Sequence, residues 1–264
     1  MTETNDRWSS GEAYEGYVGR WSRLVAEKFL VWMEAPSGAR WLDVGCGTGE
    51  LTRAIAGATS PQSVVGVDPS AEFVGYAEGR SGDEIGFRVG DARRLPFEDS
   101  IFDATVSGLV LNFVPDANRG AAEMARVTRS GGIVGSYVWD YSGGAQFMRH
   151  FWDGAKELDP AAAGADEGQR FKVCNPEALT ELFEGTGLVD VETRAIDVPT
   201  RFRDFDDYWS PLMGGQGPAG VYATSLDEAG RAALREIISE KLPIDSDGSI
   251  KLMARAWAVK GRKS

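Results

Sequence analysis

Residues Trp41–Leu51 read WLDVGCGTGEL. Trp41, Leu42, Val44 and Cys46 surround a single acid, Asp43, and glycines stand at alternate positions, Gly45, Gly47 and Gly49. Glu50 follows, and Leu51 opens a helical pattern that includes Ile55. A short apolar run, a glycine cluster and a helical period read as a buried strand, a turn and a helix start. Glycines there let the backbone take positive φ and let a ligand touch main chain.

A dinucleotide-binding turn, G-x-G-x-x-G, is the nearest rival pattern. Its third glycine would fall at position 50, which is Glu50. A pyrophosphate at that helix N-terminus would face a carboxylate, and like charges a few ångströms apart repel. The ligand that suits this turn carries no phosphate.

Asp43, Gly45, Gly47 and Gly49 form a D-x-G-x-G-x-G core. It resembles motif I of the class I S-adenosylmethionine-dependent methyltransferases of the small-molecule type (methyltransferase type 11, quinone-biosynthesis-like). Two further acids follow in register. Ser63–Val67 is a β-rich run ending at Asp68-Pro69-Ser70, and Asp68 lies 19 positions after Gly49 (68 − 49). An acid at the end of the second strand, roughly 20 residues beyond the turn, accepts ribose hydroxyls. Asp68 also reads as a helix N-cap together with Ser70. Ile85–Val89 is a third strand and ends in Gly90-Asp91-Ala92, then Arg93-Arg94-Leu95-Pro96-Phe97. The resemblance implies that Asp91 meets the adenine amino group and that the Ala92 amide meets the ring edge.

Ser100–Ser107 reads as a fourth strand, with Gly108–Val114 as its exit loop; Ser130-Gly131-Gly132 breaks the helix Asn118–Thr128, and Ile133–Trp139 is the fifth strand. The alternation predicts an α/β, doubly wound, mostly parallel sheet, with the ligand at the carboxyl ends of its strands. The resemblance covers about Tyr17 to Trp139 and implies a Rossmann-like sheet of seven strands. Its antiparallel last strand is Ile250–Val259. Helical cap segments are expected after the fifth strand and before the last. The expected division is an N-terminal helical lid over 1–34, a cofactor core over 35–140, cap over 141–175, core over 176–201, cap over 202–245, and the last strand within 246–264.

The resemblance implies S-adenosylmethionine as cofactor. It places Tyr17, Arg20, Asp43, Gly45, Cys46, Gly47, Gly49, Asp68, Pro69, Asp91, Ala92, Leu111 and Asn112 around it. Trp21, Trp139, Tyr141 and Trp209 are candidates for an apolar acceptor pocket. The segments Tyr141–Cys174 and Phe202–Leu242, with Tyr14–Trp21, are expected to close over the strand ends. Methyl transfer is an in-line displacement that needs alignment and exclusion of water, and a base only where the acceptor must lose a proton. His150, the one histidine, is the candidate base. No metal is expected. A non-catalytic binding protein of the same fold and an NAD-dependent oxidoreductase are the alternatives, and Glu50 disfavours the second.

The 264 residues carry a formal net charge of −12, a field that repels nucleic acid. Two cysteines, Cys46 and Cys174, make no disulfide or metal framework. No apolar run approaches a membrane span and no leader pattern is seen, so the expectation is a cytoplasmic protein off the membrane. Its partner is a small-molecule acceptor, and a homodimer is the assembly left open.

Overall fold

The computed structural model describes residues 18–264; the expectations for Tyr14 and Tyr17 lie outside them. Helix α1 spans Arg20–Met33. The alternation then runs β1 Arg40–Val44, α2 Glu50–Ala58, β2 Ser63–Asp68, α3 Ala71–Glu78, β3 Ile85–Val89, β4 Phe102–Gly108, α4 Ala117–Val127 and β5 Thr128–Trp139. Beyond it come α5 Gln146–Leu158, a 3₁₀ turn Pro160–Gly164, α6 Glu167–Arg170, α7 Pro176–Glu184 and β6 Leu188–Phe202. The chain ends with α8 Phe205–Trp209, a 3₁₀ turn Ser210–Gly214, α9 Gly217–Ser225, α10 Glu228–Lys241 and β7 Ile250–Lys263.

The seven strands form one sheet in the order β3-β2-β1-β4-β5-β7-β6. β1 is parallel to both neighbours, with Leu42 opposite Val65 of β2 and Thr105 of β4. A central parallel strand is buried on both faces, and Trp41, Leu42 and Val44 are all fully buried. β7 is the antiparallel strand, with Tyr137 of β5 opposite Ala258. Strand order reverses between β1 and β4, and ligands of such sheets bind at the carboxyl ends beside that reversal. At the amino ends, Asp103 ties three strands. Its carboxylate accepts from the Arg40 backbone N–H at 2.8 Å and Nε at 3.0 Å, and from Arg129 Nε at 2.5 Å.

One local expectation needs correction. β5 starts at Thr128, and Gly131-Gly132 lies inside the strand where its pairing with β4 shifts register. A Cβ at Gly132 would stand 2.6 Å from Thr128 Cγ2 and 2.9 Å from the Asp103 carbonyl oxygen, so the bulge needs glycine there. β6 runs from Leu188 through Pro199 to Phe202. Proline, which has no N–H to give a ladder, is tolerated there because β6 is an edge strand. The small-residue stretch 160–168 holds a 3₁₀ turn and the start of α6, each capped by an aspartate, Asp159 and Asp166.

The chain divides into two compact units. One comprises Ser22–Trp139, Val173–Ile196 and Ala256–Ser264 and contains the parallel strands. There α1 lies on β5: a Cβ at Gly135 would fall within contact distance of Met33 and 3.0 Å from Phe29 Cζ. The other unit takes Asp140–Lys172, Asp197–Arg255 and, of the described residues before them, 18–21. In it α5 meets α10 at Gly154, where a Cβ would stand 2.7 Å from Ile238 Cγ1. Phe151 and Trp152 pack edge-on, and Tyr222 lies 5.6 Å from the Trp152 ring. Fully buried Asp166 takes a bidentate pair from Arg149, at 2.6 and 2.9 Å.

Gly135→Val should overpack the α1–β5 contact. A cost of about 1–3 kcal/mol is expected, lowering Tm on the order of 5 °C. Calorimetry checks it, and an unchanged Tm would show that α1 is not held there.

Candidate functional site

The turn after β1 closes on β2. The amides of Gly45 and Cys46 both donate to the Val67 carbonyl, at 2.7 and 3.0 Å, and the Gly49 amide donates to the Cys46 carbonyl at 2.8 Å. All three glycines have positive φ: +76° at Gly45, +50° at Gly47 and +83° at Gly49. Their surroundings differ. A Cβ on Gly45 would lie 2.6 Å from Val110 Cγ2, and one on Gly49 would lie 3.0 Å from Ala77 Cβ. A Cβ on Gly47 would meet nothing within 4 Å. Two glycines are therefore required by packing, and the middle one presents bare backbone to open space.

Two buried acids stand under this turn. Asp68 Oδ2 accepts from the Gly47 amide at 3.0 Å, and Oδ1 accepts from the Ser70 amide at 2.9 Å. An ionised carboxylate has about four acceptor positions, so about two stay open to a ligand. The cap of α3 belongs to Ser70, whose Oγ accepts from the Phe73 amide at 3.3 Å, rather than to Asp68. Asp43 accepts from Thr52 Oγ1 at 2.7 Å through Oδ2, while its Oδ1 is buried with no hydrogen-bond partner. Burial pushes the Asp43 carboxyl up to about 7, with the nearby Asp68 charge adding to the rise. Burial also raises the Cys46 thiol, which packs beside Gly66; this is a space-filling thiol and not a nucleophile. Pro69 is exposed beside Asp68.

The exit of β3 places Asp91 and Ala92 together. The guanidinium of Arg93 grips the Asp91 carboxylate, Nη2 to Oδ2 at 2.7 Å, and holds it below the usual carboxylate range. The exit of β4 is strained: Leu109 has φ +62°, a costly conformation for a side-chain-bearing residue. Its amide donates to the Tyr137 carbonyl at 2.7 Å. Val110 then lies against Gly45, Leu111 is fully buried, and the Asn112 carboxamide has its oxygen and nitrogen both buried and unpaired. Leu109 and Val110 were not singled out from the sequence. Only the sharp exit after a strand could have marked them, because φ is not legible in leucine.

The remaining candidates lie elsewhere in the chain. Arg20 Nη1 donates to Asp207 Oδ1 at 3.1 Å, and its guanidinium lies 4.6 Å from the Trp21 ring and 4.8 Å from Phe202. Arg20 and Trp21 line a narrow cavity with Phe147, Tyr208 and Leu212. Trp209 stacks on Phe205 at 6.2 Å, and Tyr141 packs edge-on to Phe171 at 5.5 Å. Trp139 is buried at the end of β5. His150 is half-buried on α5, and burial lowers its pKa, so it is neutral at physiological pH. Among the described residues, no three metal-ligating side chains cluster, and no helix is long and apolar enough to cross a membrane.

The raised Asp43 carboxyl has a stability consequence. Its native pKa of about 7 exceeds the ordinary aspartate value of 3.8. The stability it contributes as a neutral acid is thus complete below about pH 4 and lost as pH rises through about 7. Asp43→Asn cannot titrate and should gain on the wild type between pH 4 and 7, by about 1.4 kcal/mol per pH unit at most. Parallel stability curves in denaturant titrations would refute the shift.

A family model described as a methyltransferase domain matches residues 42–135, the stretch that carries these strand ends. Over 141 residues the chain is 32% identical to malonyl-[acyl-carrier protein] O-methyltransferase of Pectobacterium atrosepticum, covering 51% of this chain but only 54% of that protein. It thus spans about half the length of that relative. Over 189 residues it is 30% identical to the ubiquinone/menaquinone biosynthesis C-methyltransferase UbiE of Desulfotalea psychrophila, covering 67% of this chain and 74% of that protein. Among solved structures, phosphoethanolamine N-methyltransferase 2 of Haemonchus contortus, in complex with S-adenosyl-L-methionine, shares the fold. Its TM-score is 0.61 at 19% identity, covering 99% of this chain and 58% of that one. The 30% identity across 74% of UbiE shows the family: the chain belongs to the class I S-adenosylmethionine-dependent methyltransferases of the small-molecule type.

Proposed function

We propose that this protein transfers the methyl group of S-adenosylmethionine to a small organic acceptor. The observation that carries the reading is Gly47, which presents bare main chain to open space while its amide is pinned by Asp68 and its flanking glycines are packed. The donor set fits the cofactor. Asp43 and Asp68 supply acceptor oxygens for a ligand that is cationic at sulfur and carries an ammonium and two ribose hydroxyls, and a cation beside them favours their ionised form. A pyrophosphate would be repelled. Asp43 Oδ1 and both polar atoms of the Asn112 carboxamide are buried without partners, and a polar ligand would satisfy them.

The cofactor supplies a methyl already activated as a sulfonium substituent. The chain's own tasks are to bind and orient. The backbone of 45–49 receives the methionine half, Asp68 accepts the ribose hydroxyls, and Asp91 with the Ala92 amide reads the adenine edge. Leu111 and Asn112 form the wall at the exit of β4. Binding energy from these remote contacts aligns the methyl for displacement and keeps water out. The related proteins are named for transfer to oxygen and to carbon acceptors, which agrees with a small-molecule acceptor.

Calorimetric titration with S-adenosylhomocysteine tests the assignment. Gly47→Val should abolish binding and lower Tm only by the strain of a side chain at positive φ, whereas Gly45→Val bears the same strain and also strikes Val110, so it should lower Tm further, on the order of 5 °C or more. Asp68→Ala leaves donors unpaired and should weaken binding by about 1–3 kcal/mol. Wild-type protein that neither binds S-adenosylhomocysteine nor forms it from S-adenosylmethionine with any of a panel of quinols, carboxylates and phenols would refute the proposal.

A further inference from the structure

Downstream of Asp91 and Ala92, the chain runs from Arg93 to Asp99 with no strand or helix to satisfy its main chain. Buried backbone groups of such a segment need partners from somewhere. They come from one face of α4. Glu123 Oε2 accepts from the Leu95 amide at 2.9 Å. Arg126 Nη2 donates to the Leu95 carbonyl at 3.2 Å, and Nη1 to the Phe97 carbonyl at 2.9 Å and to Asp99 Oδ1 at 2.7 Å. Arg119 Nε donates to the Arg93 carbonyl at 3.1 Å. The carbonyls of residues 93, 95 and 97 are thus all held by arginines of a single helix.

The three side chains form one unit. Arg126 clasps Glu123 with two bonds, Nε to Oε1 at 2.8 Å and Nη2 to Oε2 at 2.7 Å, and Arg119 lies 3.5 Å from Glu123 Oε1. Glu123 is 4% exposed, and the Arg126 guanidinium holds its carboxyl below the usual range. Burying the Glu123 carboxylate is costly even with Arg126 beside it, and apolar residues of similar volume would often do as well for stability alone. What apolar residues cannot do is grip successive carbonyls. The grip reaches the site directly. Arg93, whose carbonyl Arg119 holds, has its guanidinium on Asp91, and the Arg94 amide closes a turn on the Asp91 carbonyl at 2.9 Å.

We infer that Glu123, Arg126 and Arg119 are positioning residues that hold the 91–97 segment in the shape that selects the adenine ring of the cofactor. The inference rests on the proposed contact of Asp91 and Ala92 with adenine. None of the three touches the cofactor; they act through the backbone of the segment.

The test compares two probes, S-adenosylhomocysteine and its inosine counterpart, in which the 6-amino group is replaced by a carbonyl. Wild-type protein should prefer the adenine form. Glu123→Gln and Arg126→Met should weaken the adenine form by about tenfold and the inosine form much less, so that the preference shrinks. Arg126→Lys, which cannot make the forked contact, should fall between Arg126→Met and wild type. Amide exchange should speed up at Leu95 and not within β4. Should Arg126→Met fail to fold, Arg119→Met, on a side chain 57% exposed, should still cut the preference about threefold. Variants that keep the wild-type preference, or that weaken both probes equally, would overturn the positioning role alone. Wild-type protein that binds both probes equally would overturn the contact of Asp91 with adenine, and one that binds neither would overturn the cofactor assignment.

Discussion

The hydrogen bond from the Gly47 amide to Asp68 joins the two ends on which everything else in the site depends. Asp68 is the last residue of β2, and Gly47 is the middle of the turn leaving β1. Parallel pairing brings these strand ends level, with Val44 opposite Val67. The Val67 carbonyl takes two amides of the turn, and the next residue's carboxylate takes a third. A turn held three times from one neighbouring strand cannot relax toward the ligand space it borders. Its positive φ values are then tolerable only in glycine.

That arrangement places negative charge where burial resists it. Asp43 and Asp68 are both almost wholly shielded from water, and both are raised by desolvation. Asp68 offsets the cost with two backbone amides. Asp43 has one hydroxyl partner and one unpaired oxygen. Buried, under-satisfied acids beside open main chain are characteristic of binding sites rather than of cores. The αL conformation of Leu109 at the neighbouring strand exit is a second local cost at the same place, set against the contact that it gives between Val110 and Gly45.

The unit formed around α5 and α10 is built on different terms. Its aromatic side chains are mostly satisfied by one another, as in the Trp21–Phe202, Phe202–Tyr208 and Phe205–Trp209 pairs. Its charges are paired internally, Arg149 with Asp166 and Arg20 with Asp207. Within the narrow cavity of this unit, Arg20 Nε and Trp21 Nε1 are buried donors without partners. Among the described residues the rest of the lining is apolar apart from the Tyr208 hydroxyl, which donates to the Phe147 carbonyl at 2.7 Å.

Much of the parallel sheet and of the turns at its carboxyl ends was legible in the sequence. The reason is that each signal there is local: alternate glycines after an apolar run, an acid at a strand end, the spacing from Gly49 to Asp68. The strand–turn–helix units recur at short range and obey one handedness, so their order implies their neighbours. Tertiary structure alone decided which glycine serves packing and which presents bare main chain to open space, because that depends on Val110 and Ala77 arriving from other elements. It alone showed that Asp68 holds the turn and leaves the cap to Ser70, and that β5 begins before its glycines. It alone brought Glu123 and Arg126 onto the segment after Asp91, some 30 residues away along the chain. A Glu and an Arg three apart on an amphipathic helix read as an ordinary surface pair; only packing reveals that their partners are backbone carbonyls.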